Sequence, residues 1–371
     1  MKVGLVSYHA LYVEGGVKTH ILNLQKEFLK KGIECKIIAP RRSRKENYGP
    51  DTLLLGTSFP MTSIGTQGDF CVSFYPTSVK KALDKEKFDV LHFHNMGLPL
   101  TGQILERSNA LNILTFHASL EGSKTLKNFP EILYPLQKLA NQYLNGIIGV
   151  APIALKHFND FTGPKQIIPN GIDLNQFNPQ NPKIKRFLDG KINLLFVNRI
   201  EERKGLIYLL KAFQVLNQEF FNLRLIVVGD GDLRQECEDY VKENKLNEVC
   251  FEGQIEVGDV PSYYATSDIF VAPSIFGESF GIVLLEAMAT GKPVVAFANK
   301  GYEGVLKDKK GGILVPPKDY LGLAQELKSL IQNERLRKEM GQHGLQEAKV
   351  YSWDKIANQV LRFYELCQKN Q

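Results

Sequence analysis

SIFGESFGIVLLEAMATG, residues 274–291, is the stretch on which the reading of this chain turns. It opens as a loop holding Gly277 and Gly281, then becomes an apolar run that predicts a helix closed by Gly291 and Lys292-Pro293. Glycine just past a helix accepts a left-handed backbone, and a proline behind it cannot continue the hydrogen-bond ladder. DIFVAP (268–273) before the stretch and PVVAF (293–297) after it are short apolar runs that predict buried strands. A strand, loop, helix, strand unit aims free backbone N–H groups at a bound anion. Two carboxylates ride on it: Glu278 in the loop, and Glu286 eight positions later, a spacing that on a helix returns to nearly one face. One reading is plain structure, with Glu278 capping the helix and Glu286 a satisfied acid. Against it, Glu286 stands among Val283, Leu284, Leu285, Ala287 and Met288, where a charge needs a partner.

The bounds are those of an ordinary globular chain. At 371 residues it holds two domains with ample cores. A hydrophobic share of 43% and a charged share of 23% fit that class. A net charge of +6, with no aromatic-rich basic stripe, argues against a nucleic-acid partner. Cys35, Cys71, Cys237, Cys250 and Cys367 are scattered, without metal-ligand or redox spacing, which suits a reducing compartment. MKVGLVSYHA reads as a strand rather than a leader, and no apolar run is long enough to span a bilayer. The chain reads as cytoplasmic.

Taken in order, a strand (2–8), the loop HALYVEGG, an amphipathic helix (17–31) and the strand ECKIIAP make a doubly wound α/β opening. GGVKTH lacks the spacing of the dinucleotide fingerprint, which disfavours a nicotinamide-dependent oxidoreductase. Gly15 and Gly16 let backbone approach a ligand at a helix start, or simply make a tight turn. Residues 41–70 read as irregular, and 77–88 as a helix made basic by Lys80, Lys81, Lys85 and Lys87. That run is either a solvated face or a patch that meets anionic lipid. FDVLHFHN and LNILTFHAS are strands ending in histidine, so His94 and His117 stand where ligands bind in such sheets. His92 and His94 alternate as a zinc pair would, but no third ligand has convincing spacing, so no metal is expected. A helix (128–144), the strand GIIGV and the helix PIALKHF complete a first domain, and a Pro- and Asn-rich linker runs to about residue 185. INLLFVNR, LRLIVVGDGD, VCFEGQI and the organising unit alternate with helices, predicting a second parallel sheet. Arg199 and Lys204, in NRIEERKG, are cations beside a helix start, either a pair that meets an anion or a solvated basic turn.

GESFGIVLLEAMATGKPVV resembles the signature of family-4-type retaining glycosyltransferases of the GT-B fold, and the other motifs fall in that family's order across almost the whole chain. The resemblance implies two Rossmann-like domains facing across a cleft. The first would span 1–185 on the acceptor side, with a final helix (352–371) packing back on it; the second, 186–351, would hold the nucleotide-sugar. It further implies that Gly15 and Gly16 lie beside the donor's phosphates and the acceptor, and that His117, in the TFH motif, contacts the transferred sugar. Arg199, Lys204 and the N–H groups near Gly281 and Ile282 would carry diphosphate charge. Gly253 and Ile255 would meet the base; Ser279 and Phe280 would line the donor; Glu286 would accept from the ribose, and Glu278 from the sugar hydroxyls. Asn198 stands where the family has glycine, which bears on the local backbone rather than on the charges. No cofactor and no metal are expected, since the cations do a metal's work.

YHALYVEGGVKTH, VKKALDKEKFDVLHFH and TFHAS are similar to segments of phosphatidylinositol mannosyltransferases. That implies GDP-mannose as donor, an inositol phospholipid as acceptor, and a peripheral place on the inner face of the plasma membrane. A UDP-sugar enzyme acting on another lipid, polysaccharide or small molecule is the alternative. A non-catalytic nucleotide-sugar-binding protein is the reading from another class.

Overall fold

The computed structural model describes residues 1–12, 15–43, 45–63, 66–96, 99–118, 134–306 and 310–370, with side chains undescribed at 61–63 and 66–68. The chain forms two compact units, one of Met1–Gly171 with Trp353–Gln371, the other of Ile172–Ser352. The division therefore falls at residue 171 and not at 185. Residues 172–185, for all their prolines and asparagines, are tied into the second unit. The Ile172 N–H donates to the Tyr351 carbonyl at 2.8 Å, and the Ile184 N–H to Thr266 Oγ1 at 2.9 Å.

The first unit carries eight strands: β1 (Lys2–Ser7), β2 (Glu34–Arg41), β3 (Thr52–Ser63), β4 (Thr66–Val72), β5 (Val90–His94), β6 (Leu111–Phe116), β7 (Gly146–Gly149) and β8 (Lys165–Ile167). Their order is β4-β3-β2-β1-β5-β6-β7-β8, parallel throughout except for the β3–β4 pair. β5 and β6 are buried along their whole length, as strands covered on both faces must be. The helix Gly16–Lys30 packs Ile21, Leu24 and Phe28 onto Val3, Leu5 and Ile37, and Ile356, Val360 and Phe363 of the C-terminal helix Trp353–Gln368 join the same core. Connections leave β1 toward β2 on one side and return to β5 on the other, so the sheet's switch point lies between β1 and β5, with Ser7 opposite His94 at its carboxyl end.

Residues 41–70, read as irregular, in fact hold most of an antiparallel ribbon, β3 with β4. Gly56, Pro60 and Gly68 interrupt the apolar alternation there, and pairing across the ribbon rather than a buried face sets its register. The helix placed at 128–144 is described over Tyr134–Tyr143, and residues 128–133 lie outside the described residues.

The second unit is a six-stranded sheet, all parallel: β9 (Ile192–Val197), β10 (Leu223–Val228), β11 (Val249–Gly253), β12 (Ile269–Ala272), β13 (Val294–Phe297) and β14 (Gly312–Val315). Its order, β11-β10-β9-β12-β13-β14, puts the switch point between β9 and β12. The helices Leu206–Asn217 and Tyr320–Ile331 bury Phe213, Leu216, Leu323 and Leu327 against Leu194, Phe196, Leu225 and Val295. Both units are doubly wound Rossmann-like domains. Among the described residues no helix is long and apolar enough to cross a membrane.

Candidate active site

In the second unit, the residues expected to form the site gather where the carboxyl ends of β9 and β12 open into loops. The chain leaves β9 through Asn198 and Arg199, makes a single 3-10 turn at Glu202–Lys204, and enters the helix Leu206–Asn217 at Gly205. Lys204 is buried and its ammonium is paired with Glu278 Oε1 from the loop after β12. Arg203 stands beside the pair, with Nη1 3.6 Å from the same oxygen and Nη2 2.7 Å from Glu201. Burial pushes the Lys204 ammonium below its usual range, and the Glu278 carboxylate opposes that shift. Arg199 is exposed and makes no ion pair among the described residues, so its guanidinium is not spent on the protein itself.

Glu278 does not cap the next helix, and the helical spacing expected between it and Glu286 does not apply. The helix runs Ile282–Ala289, and its cap residue is Gly281. Gly281 has φ 91°, and a Cβ there would lie 2.4 Å from the Tyr302 ring, so only glycine fits the turn. The Tyr302 hydroxyl in turn donates to Ser274 Oγ at 3.0 Å, locking the loop from behind. Ser279 is half-buried, and Phe280 is buried edge-on to Tyr351, with ring centroids 6.0 Å apart. Glu286 lies one turn into the helix, where the Tyr264 hydroxyl donates to its Oε2 at 2.8 Å. Burial pushes this carboxyl up to about 7, with the tyrosine hydrogen bond opposing. The two glutamates thus sit in different environments, one ion-paired and one held by a neutral donor.

Gly253 ends β11 at φ 72°, and its carbonyl accepts from the Gly229 N–H at 2.8 Å; Ile255 follows, half-buried. Gly229 runs so close to strand β9 that a Cβ would lie 1.9 Å from the Asn198 carbonyl oxygen. The glycine pair in GDGD is therefore required by this close approach. At Asn198 the side chain folds over its own backbone, with Oδ1 accepting from the Arg199 N–H at 3.2 Å.

In the first unit, Gly15 and Gly16 are exposed at the start of the helix Gly16–Lys30. One turn later His20 is buried, and its ring meets His94 and His117 with centroids 5.1 Å and 4.6 Å away. His117 follows the last residue of β6, and its N–H donates to Asn95 Oδ1 at 2.7 Å. Burial holds His92, His94 and His117 well below the usual histidine range and lowers His20 to about 4. Ligand atoms of His20, His94 and His117 lie within 4.8 Å of one another. Along the sequence no third ligand stands beside His92 and His94; in the fold, helix packing brings His20 to His94 and His117 instead. His20, Arg203, Tyr264 and Tyr302 stand beside the expected site residues and are not singled out in the sequence: His20 and Arg203 lie inside GGVKTH and NRIEERKG without marking themselves, and the two tyrosines stand in no motif.

Residues 14–176 match the family model "Glycosyltransferase Family 4", and 177–347 match "Glycosyl transferases group 1". A phosphatidyl-myo-inositol mannosyltransferase of Mycobacterium leprae is 32% identical over 98% of this chain and 96% of its own length. An uncharacterized glycosyltransferase of Methanocaldococcus jannaschii is 28% identical over 98% of each. Among solved structures, a sucrose-phosphate synthase of Thermosynechococcus elongatus superposes with a TM-score of 0.80 at 20% identity over 100% of both chains. Anabaena HepE, in complex with UDP and glucose, gives 0.79 at 20% identity, covering 98% of this chain and 99% of its own. These likenesses show the GT-B fold, and the sequence relatives show the family. The chain is a hexosyltransferase and belongs to the family-4-type glycosyltransferases.

Proposed function

We propose that the chain moves mannose from GDP-mannose to phosphatidylinositol or a related inositol glycolipid, with retention at the anomeric carbon. The observation that carries the substrate choice is the full-length relationship, at 32% identity, to proteins named phosphatidyl-myo-inositol mannosyltransferase. The chemistry follows from the charges. Breaking the bond between sugar and diphosphate leaves negative charge on the leaving group and an oxocarbenium-like sugar. Arg199 and Lys204, with the N–H groups at Gly281 and Ile282, stabilise the diphosphate, and Arg203 adds a third cation beside Lys204. Each preorganised donor of this kind is worth roughly 10²–10³-fold in rate. With these cations in place no metal is required. Glu286 accepts from the ribose hydroxyls and Glu278 from the sugar hydroxyls, while His117 holds the sugar. Gly253 and Ile255 meet the base, Ser279 and Phe280 line the donor, and Gly15 and Gly16 border the phosphates and acceptor. A diphosphate oxygen takes the acceptor proton on the face from which the leaving group departs.

The helix Pro76–Glu86 serves as the contact with an anionic membrane. Lys81, Lys85 and Lys87 are exposed, and Lys80 pairs with Asp84 at 2.7 Å. Phe74 and Tyr75, just ahead of it, are 66% and 74% exposed, an aromatic pair of the kind that sits at a headgroup interface.

The test is transfer of labelled mannose from GDP-mannose into vesicles containing phosphatidylinositol, with chelator present. Label in the lipid is the expected result. Absence of label there, with label from a UDP-sugar in another acceptor, would replace the donor and acceptor while leaving the family intact.

A further inference from the structure

The four buried histidines at the carboxyl end of the first sheet have a proton count that can be worked out. His92 lies between two hydroxyls, its Nδ1 2.6 Å from Tyr364 Oη and its Nε2 2.6 Å from Thr115 Oγ1, so either tautomer of that ring is satisfied. His94 Nδ1 is 3.1 Å from His117 Nε2, while His94 Nε2 is buried without a partner among the described residues. His20 Nδ1 is 2.9 Å from Asn170 Oδ1, and its Nε2 is likewise buried and unpartnered.

Burial keeps these rings neutral, so each carries one proton and only one proton lies between His94 Nδ1 and His117 Nε2. If His117 owned it, His94 would carry its own proton on Nε2, a buried N–H with no acceptor. If His94 owns it, His94 Nε2 is a bare lone pair. Orphaned buried N–H groups are the rarer and costlier of the two. The same logic applies at His20. Asn170 Oδ1 is an acceptor, so His20 Nδ1 is the protonated nitrogen and its Nε2 is bare. His117, accepting at Nε2, must then carry its single proton on Nδ1.

We propose that His94 is a positioning residue: its Nδ1–H, donated to His117 Nε2, fixes His117 as the neutral Nδ1–H tautomer. His117 then meets the sugar as a hydrogen-bond donor and has no free nitrogen with which to act as a base. Asn170 Oδ1 is the acceptor that holds His20 in place before substrate arrives. Although nitrogens of His20, His94 and His117 are close enough to share a cation, two of them already hold each other through a proton, which the hydrogen-bonded arrangement explains and a cation would displace. The kinetic consequence rests on the sugar-transferase reading; the tautomer does not.

The experiment is long-range proton–nitrogen correlation on the full chain labelled with ¹⁵N-histidine at pH 7, each ring assigned by single His→Gln substitution. His94 and His117 are each expected to carry the proton on Nδ1. A proton on His117 Nε2, or a doubly protonated His117, overturns the proposal. So does a saturable shift of His20, His94 and His117 together on adding one equivalent of zinc. In transfer assays His94→Ala is expected to lower kcat about 100-fold with little change in the donor KM. His94→Asn, whose amide N–H reaches the place of ring Nδ1, is expected to recover a large part of that loss and to restore the His117 tautomer. Equal kcat in wild type and His94→Ala, or no difference between the Ala and Asn variants, overturns the positioning role. Failure of transfer with every nucleotide-sugar would instead sink the functional reading and leave the tautomer to be decided by the spectra.

Discussion

The Lys204 ammonium and the Glu278 carboxylate are joined across the second unit, one from the turn after β9 and the other from the loop after β12. Their side chains are 9% and 11% exposed, so the pair is a nearly dry one, in which each charge depends on the other. Removing one partner of such a pair costs about 3–5 kcal/mol, whereas replacing both by apolar groups is often near neutral. Glu278→Ala is therefore expected to abolish transfer and also to lower the Tm of the protein. Glu278→Ala with Lys204→Met should restore most of the lost stability without restoring activity. Thermal denaturation beside a transfer assay checks both; a single mutant as stable as wild type would contradict the burial argument.

Glu286 gives a pH dependence with a definite sign. Its carboxyl is raised to about 7 in the fold, from 4.5. Between those values the folded chain binds a proton that the unfolded chain has lost, so this group's contribution to stability falls as pH rises from 4.5 through 7. Glu286→Gln is thus expected to raise Tm at pH 8 and to leave it nearly unchanged at pH 4.

The same group predicts proton release on binding. Ribose hydroxyls donating to Glu286, as proposed, would favour its carboxylate, so nucleotide binding near pH 6.5 should expel part of a proton. Affinity should weaken as pH falls below 7. Calorimetry in two buffers of different ionisation enthalpy reads this directly, and the Gln variant should show no buffer dependence.

Gly281→Ala tests the turn that starts the helix Ile282–Ala289. The positive φ costs about 1–3 kcal/mol in a residue with a Cβ, and the clash with the Tyr302 ring adds to it. Expected are a lower Tm and weaker nucleotide binding. Gly304→Ala, where a Cβ would meet nothing within 4 Å, is the control: it should leave nucleotide binding unchanged and, inside the helix Lys300–Val305, should not lower Tm.

Replacing Lys81, Lys85 and Lys87 by Gln should reduce sedimentation with phosphatidylinositol-containing vesicles, at about 1 kcal/mol per lysine. The effect should fade in high salt and be absent with neutral vesicles. Equal binding by wild type and the triple variant would remove the membrane role from this helix.

Most of the architecture could be read along the chain. Buried parallel strands are continuous apolar runs, and the alternation of such runs with amphipathic helices announces two doubly wound sheets without knowledge of contacts. The strand–loop–helix–strand unit around Gly281, and the motif residues Lys204, Glu278, Glu286 and His117, are local in the same sense: a turn's glycine, a charge in an apolar run, a histidine ending a strand. The β3–β4 ribbon escaped notice because its glycines and Pro60 break the alternation that marks a strand, and its partner supplies the order instead.

What only the tertiary structure decided is which of these residues meet. Lys204 and Glu278 are 74 positions apart and are paired because β9 and β12 are neighbours in the sheet. Tyr264 is 22 positions from Glu286, and its hydroxyl is found only when the helix Val260–Thr266 is in place. His20 reaches His94 and His117 from a helix, and Asn170 reaches His20 across 150 residues. Sequence periodicity specifies which face of an element is buried; it carries no information on which buried polar atom will lie 3 Å from another. That depends on strand order and helix docking, and there the protonation of the site is set.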